Sequence, residues 1–243
     1  MSLNIIYEDE AFLVINKPAF MPIHPTAYHL NDTLANGVRY YFDSIDLRKK
    51  IRPVNRLDRN TSGLVLFAKN EYIQEHLIRQ MCDGSFIKKY LGIVNGSLSD
   101  LLDNDYVSNL CLESKSIVSC TNSSGIIEGY ISAPISRKDG SIIERIVESN
   151  GIPSITSFKL IKDLSNYSLV EFFLKTGRTH QIRVHMSFIA HPLLGDSLYG
   201  TSSSLINRQA LHSYYLSFMH PITASIIEFK SSIPEDMKKV IYF

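Results

Sequence analysis

The first seventeen residues alternate between apolar and polar stretches. Asn4-Ile5-Ile6-Tyr7 and Ala11-Phe12-Leu13-Val14-Ile15-Asn16-Lys17 flank an acidic cluster, Glu8-Asp9-Glu10. Two strands joined by an acidic turn are predicted, the second ended by Lys17-Pro18. Residues 32–43 carry a helical pattern with Asp32 or Thr33 as N-cap. Leu64 to Lys69 is short and apolar enough to be a buried strand. Asn70 then caps a helix running to about Cys82. Ile73, Leu77 and Met81 recur every fourth position and form one stripe, and Gly84 supplies a left-handed stop.

Strand patterns follow at 86–96, 126–133, 155–162 and 167–174. The middle, 97–154, is polar and rich in Ser and Asn, and predicts hairpins and loops. A helix is predicted within 176–192, with Thr179 as N-cap and Pro192 past its end. Residues 214–221 and 225–230 read as two last strands. There is no repeat and no linker, so one domain over 1–243 is expected. Many strands with a few separated helices predict an α+β fold.

The 243 residues are 44% hydrophobic and 20% charged, ordinary for a globular chain. Three scattered cysteines, Cys82, Cys111 and Cys120, form no C-x-x-C pair, which argues against a disulfide framework and a cysteine zinc site. The N-terminus lacks the pattern of a signal peptide, and no apolar stretch approaches the ~20 residues of a membrane span. A reduced, cytoplasmic protein is expected. Net charge is +1, but residues 48–92 hold ten Lys/Arg against four acids, a local +6 that leaves −5 elsewhere. Such a field suits a polyanion at one face.

Three stretches carry chemistry. In Arg56-Leu57-Asp58-Arg59-Asn60-Thr61-Ser62-Gly63, a carboxylate sits between two cations just before a buried strand. An aspartate in such a loop commonly caps backbone N–H groups. The alternative reading is a carboxylate held ionised by arginines so that it can act as nucleophile or base. Between 174 and 200 lie Arg178, His180, Arg183, His185 and His191. The histidines lack helical ligand spacing and there is no H-E-x-x-H, so no metal is expected. Arg183 falls among apolar Ile182, Val184 and Met186; a buried arginine needs an anion, and Asp58 is a candidate. In the strand 86–96, alternation puts Lys88 and Tyr90 on one face and Lys89 and Leu91 on the other. Tyr90 taken alone is more simply a packing residue.

"NRLDRNTSGLVLFAKN" resembles the H-R-L-D-x-x-T-S-G-L motif of the RluA-type RNA pseudouridine synthases. Four further stretches resemble that family's motifs in the same order: "IIYEDEAFLVINKPAFMPIHP", "KKYLGIVNG", "TGRTHQIRVHMSFIAHPLLGDSLYG" and "ALHSYYLSFMHP". Together they span about residues 4 to 231. The resemblance implies isomerisation of uridine to pseudouridine in ribosomal or transfer RNA, on a nucleotide flipped out of the stack. It implies a long mixed, mostly antiparallel sheet flanked by helices and loops. It makes Asp58, Tyr90 and Arg183 catalytic, with Arg56, Arg59, Lys88, Arg178, His180 and Gln181 on substrate or RNA. Three routes stay open to Asp58: attack on the sugar, addition to the base, or stabilisation of a glycal-like intermediate. No cofactor and no metal are implied. The expected partner is structured RNA, bound by a monomer away from membranes.

Two positions depart from the motifs. Asn55 stands where the family has His, and activity is expected to survive with altered RNA contact. Phe20 stands where the family has Gly, which is expected to change a loop near the site. The chain starts directly at the first motif, so no separate N-terminal RNA-binding domain is expected. Two other classes remain: an RNA-binding protein of this fold without turnover, and a glycoside or nucleoside hydrolase using Asp58. The second would need a partner carboxylate, and none stands out.

Overall fold

The computed structural model describes residues 2–102 and 115–242. In chain order the strands are β1 (Ile5–Glu8), β2 (Phe12–Lys17), β3 (Arg52–Pro53), β4 (Ser62–Ala68), β5 (Ile87–Asn95), β6 (Ile117–Ser123), β7 (Ile126–Ser132), β8 (Ile135–Arg137), β9 (Arg145–Val147), β10 (Ile155–Asp163), β11 (Tyr167–Leu174), β12 (Leu211–Met219) and β13 (Ile226–Lys230). The α-helices are α1 (Leu34–Ser44), α2 (Glu71–Asp83), α3 (Gln181–Phe188) and α4 (Glu235–Ile241). This is the expected α+β class, mixed and mostly antiparallel. Among the described residues, no helix is long and apolar enough to cross a membrane.

The chain packs as two compact units. The first comprises Met1–Lys88 and His212–Ser232. Its strands run in the order β1-β2-β4-β12, with β3 on β4 and β13 on β12. β2 is antiparallel to β4, and β12 is parallel to it at His212↔Ser62 and Ser213↔Gly63. All seven residues of β4 are buried. That explains a sequence with no polar alternation: Leu64, Leu66 and Ala68 join Phe12, Val14, Leu77, Phe86 and Phe218 in one cluster. Each such large side chain contributes about 1.5–3 kcal/mol by leaving water. The helix starts are set locally. Thr33 accepts from the Asn36 N–H in a reciprocal cap, and Asn70 accepts from the Ile73 N–H at 2.9 Å. Gly84 ends α2 at φ 84°.

The second unit comprises Lys89–Leu211 and Ile233–Phe243, with strand order β5-β11-β10-β7-β6 and a separate β8–β9 pair. Its cluster joins Ile93, Leu169, Leu194, Ile206 and Ala210 to Met237, Val240 and Ile241 of α4. The expected hairpins of the middle region are β6–β7 and β8–β9; residues 103–114, with Cys111, lie outside the described residues. Cys82 is exposed and Cys120 half-buried, both as free thiols.

One helix start differs from expectation. The N-cap of α3 is His180, in the left-handed region at φ 58°, and not Thr179. His180 makes no side-chain capping bond. Gln181 instead folds back, its Oε1 accepting from the Arg178 N–H at 3.0 Å and the Thr176 hydroxyl at 2.8 Å. The turn before the helix is thereby closed by a side chain from inside it.

Candidate active site

Asp58 lies in the first unit, half-buried, at the start of a turn in which its carbonyl accepts the Thr61 N–H at 3.1 Å. Each neighbour in the motif has a physical task in holding that turn. Asn55, only 5% exposed, donates from Nδ2 to the Leu64 carbonyl at 3.1 Å and accepts the Leu66 N–H at 2.8 Å. Its amide acts as an extra peptide group on the edge of β4, tying the loop's entry to its exit. The departure from His thus places a donor and an acceptor in backbone geometry. Ser62 shares a 2.9 Å hydrogen bond with His212 Nδ1, and His212 Nε2 another of 2.9 Å with Ser231. Gly63 sits at φ 118°, and a β-carbon there would lie 2.2 Å from the Ser213 carbonyl oxygen, so only glycine permits the β4–β12 approach. Lys17, wholly buried, donates to the carbonyls of Pro18 (2.8 Å), Met21 (2.9 Å) and Arg59 (3.1 Å).

The side chains of Arg56 and Arg59 are exposed beside this turn. His24 is shifted below the usual histidine range, by burial first and then by the Arg56 charge. Lys88 is placed differently from a surface cation. Its Nζ lies 3.9 Å from the Met81 sulfur, and burial lowers its pKa from the ordinary lysine value.

In the second unit Tyr90 is 6% exposed on β5, in register with Phe172 on β11. Lys89, on the opposite face as alternation predicted, approaches Glu171 at 3.4 Å. Arg183 on α3 is buried, and Asp196 takes its Nε at 2.7 Å and Nη2 at 2.8 Å. Its guanidinium also lies 4.9 Å from the centre of the Tyr199 ring. Asp196 thus supplies one anion to the buried arginine from within the same unit. Asp196, quoted within a motif but not singled out, is the residue that sequence reasoning missed. The signal was there: Gly195-Asp196 follows a helix stop, where a carboxylate can accept backbone N–H groups, here those of Leu198 at 3.1 Å and Tyr199 at 3.2 Å.

The polar residues at the helix start form one network. The Gln181 amide donates to the Ile155 carbonyl at 3.0 Å and the Thr156 hydroxyl at 3.1 Å, besides its two acceptor bonds, and is 2% exposed. Thr156 in turn bonds His185 Nδ1 at 2.8 Å, and His185 Nε2 donates to the Ala133 carbonyl at 3.0 Å. Burial pushes the His185 pKa down to about 4. His180 Nδ1 lies 2.8 Å from the Tyr199 hydroxyl, and His191 Nδ1 lies 2.9 Å from the Asn95 carbonyl. Arg178 is exposed. Among the described residues, no three His, Cys, Asp or Glu side chains are grouped so as to hold a metal ion.

Residues 11–188 match the family model described as RNA pseudouridylate synthase. The chain is 37% identical over 239 residues to "Uncharacterized RNA pseudouridine synthase YjbO" of Bacillus subtilis (strain 168), covering 98% of this chain and 75% of that one. It is 33% identical over 258 residues to "Ribosomal large subunit pseudouridine synthase D" of Buchnera aphidicola subsp. Schizaphis graminum (strain Sg), covering 100% and 73%. Among solved structures, human RNA pseudouridylate synthase domain containing 1 superposes with a TM-score of 0.67 at 26% identity, covering 95% of this chain and 83% of that one.

Proposed function

The chain belongs to the RNA pseudouridylate synthase family, and from that premise we propose that its isomerisation of uridine to pseudouridine in RNA is carried by Asp58, Tyr90 and Arg183. The observation that carries the reading is the Asp58 turn. It is fixed at entry by Asn55, at exit by Ser62 and Gly63, and from beneath by Lys17. A surface turn with only a capping role does not need four independent anchors. A carboxylate that must meet a flipped nucleotide in one geometry does.

The reaction breaks the C1′–N1 bond, turns the base, and joins C1′ to C5. The C5 proton leaves and N1 gains one, so no redox partner is needed. Asp58 is the group proposed to act at C1′ or C6. Tyr90, on a strand and buried, is proposed to stack against the base or move the C5 proton. Arg183, oriented by Asp196, supplies a fixed positive charge. Arg56, Arg59 and Arg178 are exposed and suit phosphate contacts. Gln181 and His180 are proposed to act by shaping the turn that presents Arg178. Lys88 is proposed to act on the substrate uridine and not on the RNA backbone.

We take large-subunit ribosomal RNA as the substrate class, because relatives at 31–35% identity over nearly the whole chain carry that name. A reducing, cytoplasmic setting suits the exposed Cys82 thiol. The test is tritium release from [5-³H]uridine-labelled ribosomal RNA, with circular dichroism as the folding control. Asp58→Ala should abolish release with the fold intact. Release within about tenfold of the parent would remove Asp58 from the chemistry. An unaltered parent that binds RNA but releases nothing would favour a binding protein without turnover.

A further inference from the structure

Eight described residues other than glycine have φ in the left-handed region: Phe20, Asp46, Lys115, Ser124, Ser165, His180, Ala190 and Ala224. Phe20, at φ 65°, is the bulky apolar one among them. An aromatic side chain is a poor choice for that conformation, which polar turn residues tolerate best. Core packing does not account for it, because Phe20 keeps 45% of its surface exposed.

The strained loop is held firmly. The Lys17 ammonium binds the carbonyls of Pro18 and Met21, which bracket Phe20, and also that of Arg59, which follows Asp58. One buried cation thus fixes the Phe20 loop and the Asp58 turn to each other. The exposed guanidinium groups of Arg56 and Arg59 lie on that turn. An exposed ring on a loop tied to a turn with two exposed cations offers the chemistry that takes single-stranded nucleic acid, with bases on the ring and phosphates on the cations.

We propose that Phe20 is a stacking platform for one unpaired base next to the uridine that is isomerised, and that it helps set which RNA segment is accepted. This rests on the RNA-substrate reading above. Extruding a uridine leaves its neighbour with a bare face, and a ring locked to the Asp58 turn is placed to cover such a face.

The experiment uses the full chain and a single-stranded RNA oligonucleotide in which 2-aminopurine adjoins one uridine. Affinity is read by anisotropy and stacking by quenching of the 2-aminopurine. Phe20→Gly and Phe20→Leu should weaken binding by about 5- to 150-fold, the range for loss of one aromatic–base stack, and relieve the quenching. Phe20→Trp should keep both. Glycine relieves the backbone while losing an exposed ring, so its thermal midpoint should stay within about 4 °C of the parent. Should Phe20→Gly not fold, Phe20→Leu decides. Unchanged affinity and quenching in the leucine variant overturn the proposal, because they leave only apolar bulk. A parent that isomerises uridine, with a glycine variant that binds equally well, removes Phe20 alone. A parent that neither binds nor isomerises RNA overturns the substrate reading and this proposal together.

Discussion

Arg183 and Asp196 meet edge to edge in the interior of the second unit, Nε to Oδ2 at 2.7 Å and Nη2 to Oδ1 at 2.8 Å. Their side chains are 8% and 1% exposed. The pair is a buried fork, and removing the carboxylate takes a close counter-charge from a buried guanidinium. Asp196→Ala should therefore destabilise the protein by about 3–5 kcal/mol in urea unfolding, and Asp196→Asn by less. A loss under about 1 kcal/mol for the alanine variant would mean that another group neutralises Arg183.

Ser213 behaves oppositely. Its Oγ is buried with no hydrogen-bond partner. An unsatisfied buried hydroxyl costs about 1–3 kcal/mol in mutational data. Ser213→Ala should leave stability unchanged or raise it by up to about 1 kcal/mol. Measurable destabilisation would show that the hydroxyl has a role in the fold.

The fold was legible wherever a local rule coincided with a tertiary one. Asn70, Gly84 and the Ile73–Leu77 stripe each give the same answer from propensity, capping and burial, and α2 appears where they say. The start of α3 was not legible, because Thr179 is a good cap by propensity. A long-range bond from Gln181 to Ile155 selects another turn there. α4 was missed although Pro234-Glu235-Asp236 opens it and Lys238-Lys239 closes it, a short helix held by its packing against Ile93 and Leu169. Around Asp58 and Arg183, the hydrogen-bond partners were not legible. Nothing local in the sequence says that Asn55 will pair with a strand backbone nine and eleven residues away, or that Arg183 will turn to Asp196.

His185 gives a pH test. Its folded pKa is about 4 against an ordinary 6.5, because burial disfavours the imidazolium. Below 6.5 the unfolded chain takes up a proton that the folded chain refuses. The contribution to stability is complete above 6.5 and is lost as pH falls through that window towards 4. The full difference amounts to roughly 3 kcal/mol. His185→Gln should flatten the fall in unfolding free energy over this interval relative to the parent. Parallel curves for the two proteins would show that His185 is not held neutral.

The last prediction concerns the +6 segment, 48–92. Net charge alone predicts that every cation in it serves RNA equally, and the structure separates them. Arg79 sits 2.6 Å from Glu75 on the same face of α2, and Arg52 is held by Glu71 and Gln74. Lys69 lies 2.7 Å from Glu8. Lys88 is half-buried beside Met81, and burial lowers its pKa. Arg56 and Arg59 are exposed on the Asp58 turn. If about four phosphates are contacted, log affinity should fall against log salt with a slope near −3 to −4 on duplex-like RNA. Arg56→Gln and Arg59→Gln should each flatten that slope by roughly one unit. Arg79→Gln should leave it unchanged, because releasing Glu75 adds no phosphate contact and removes none. Lys88→Gln should change the slope less, since a half-buried ammonium exchanges fewer counterions with solvent than an exposed one, while slowing turnover if it acts on the substrate uridine. The measurement is binding of an Asp58→Asn chain over a salt series, with single-turnover rates of the otherwise native variants alongside. A full unit of slope lost in Lys88→Gln, with none lost in Arg59→Gln, would place the RNA backbone on the strand and not on the turn.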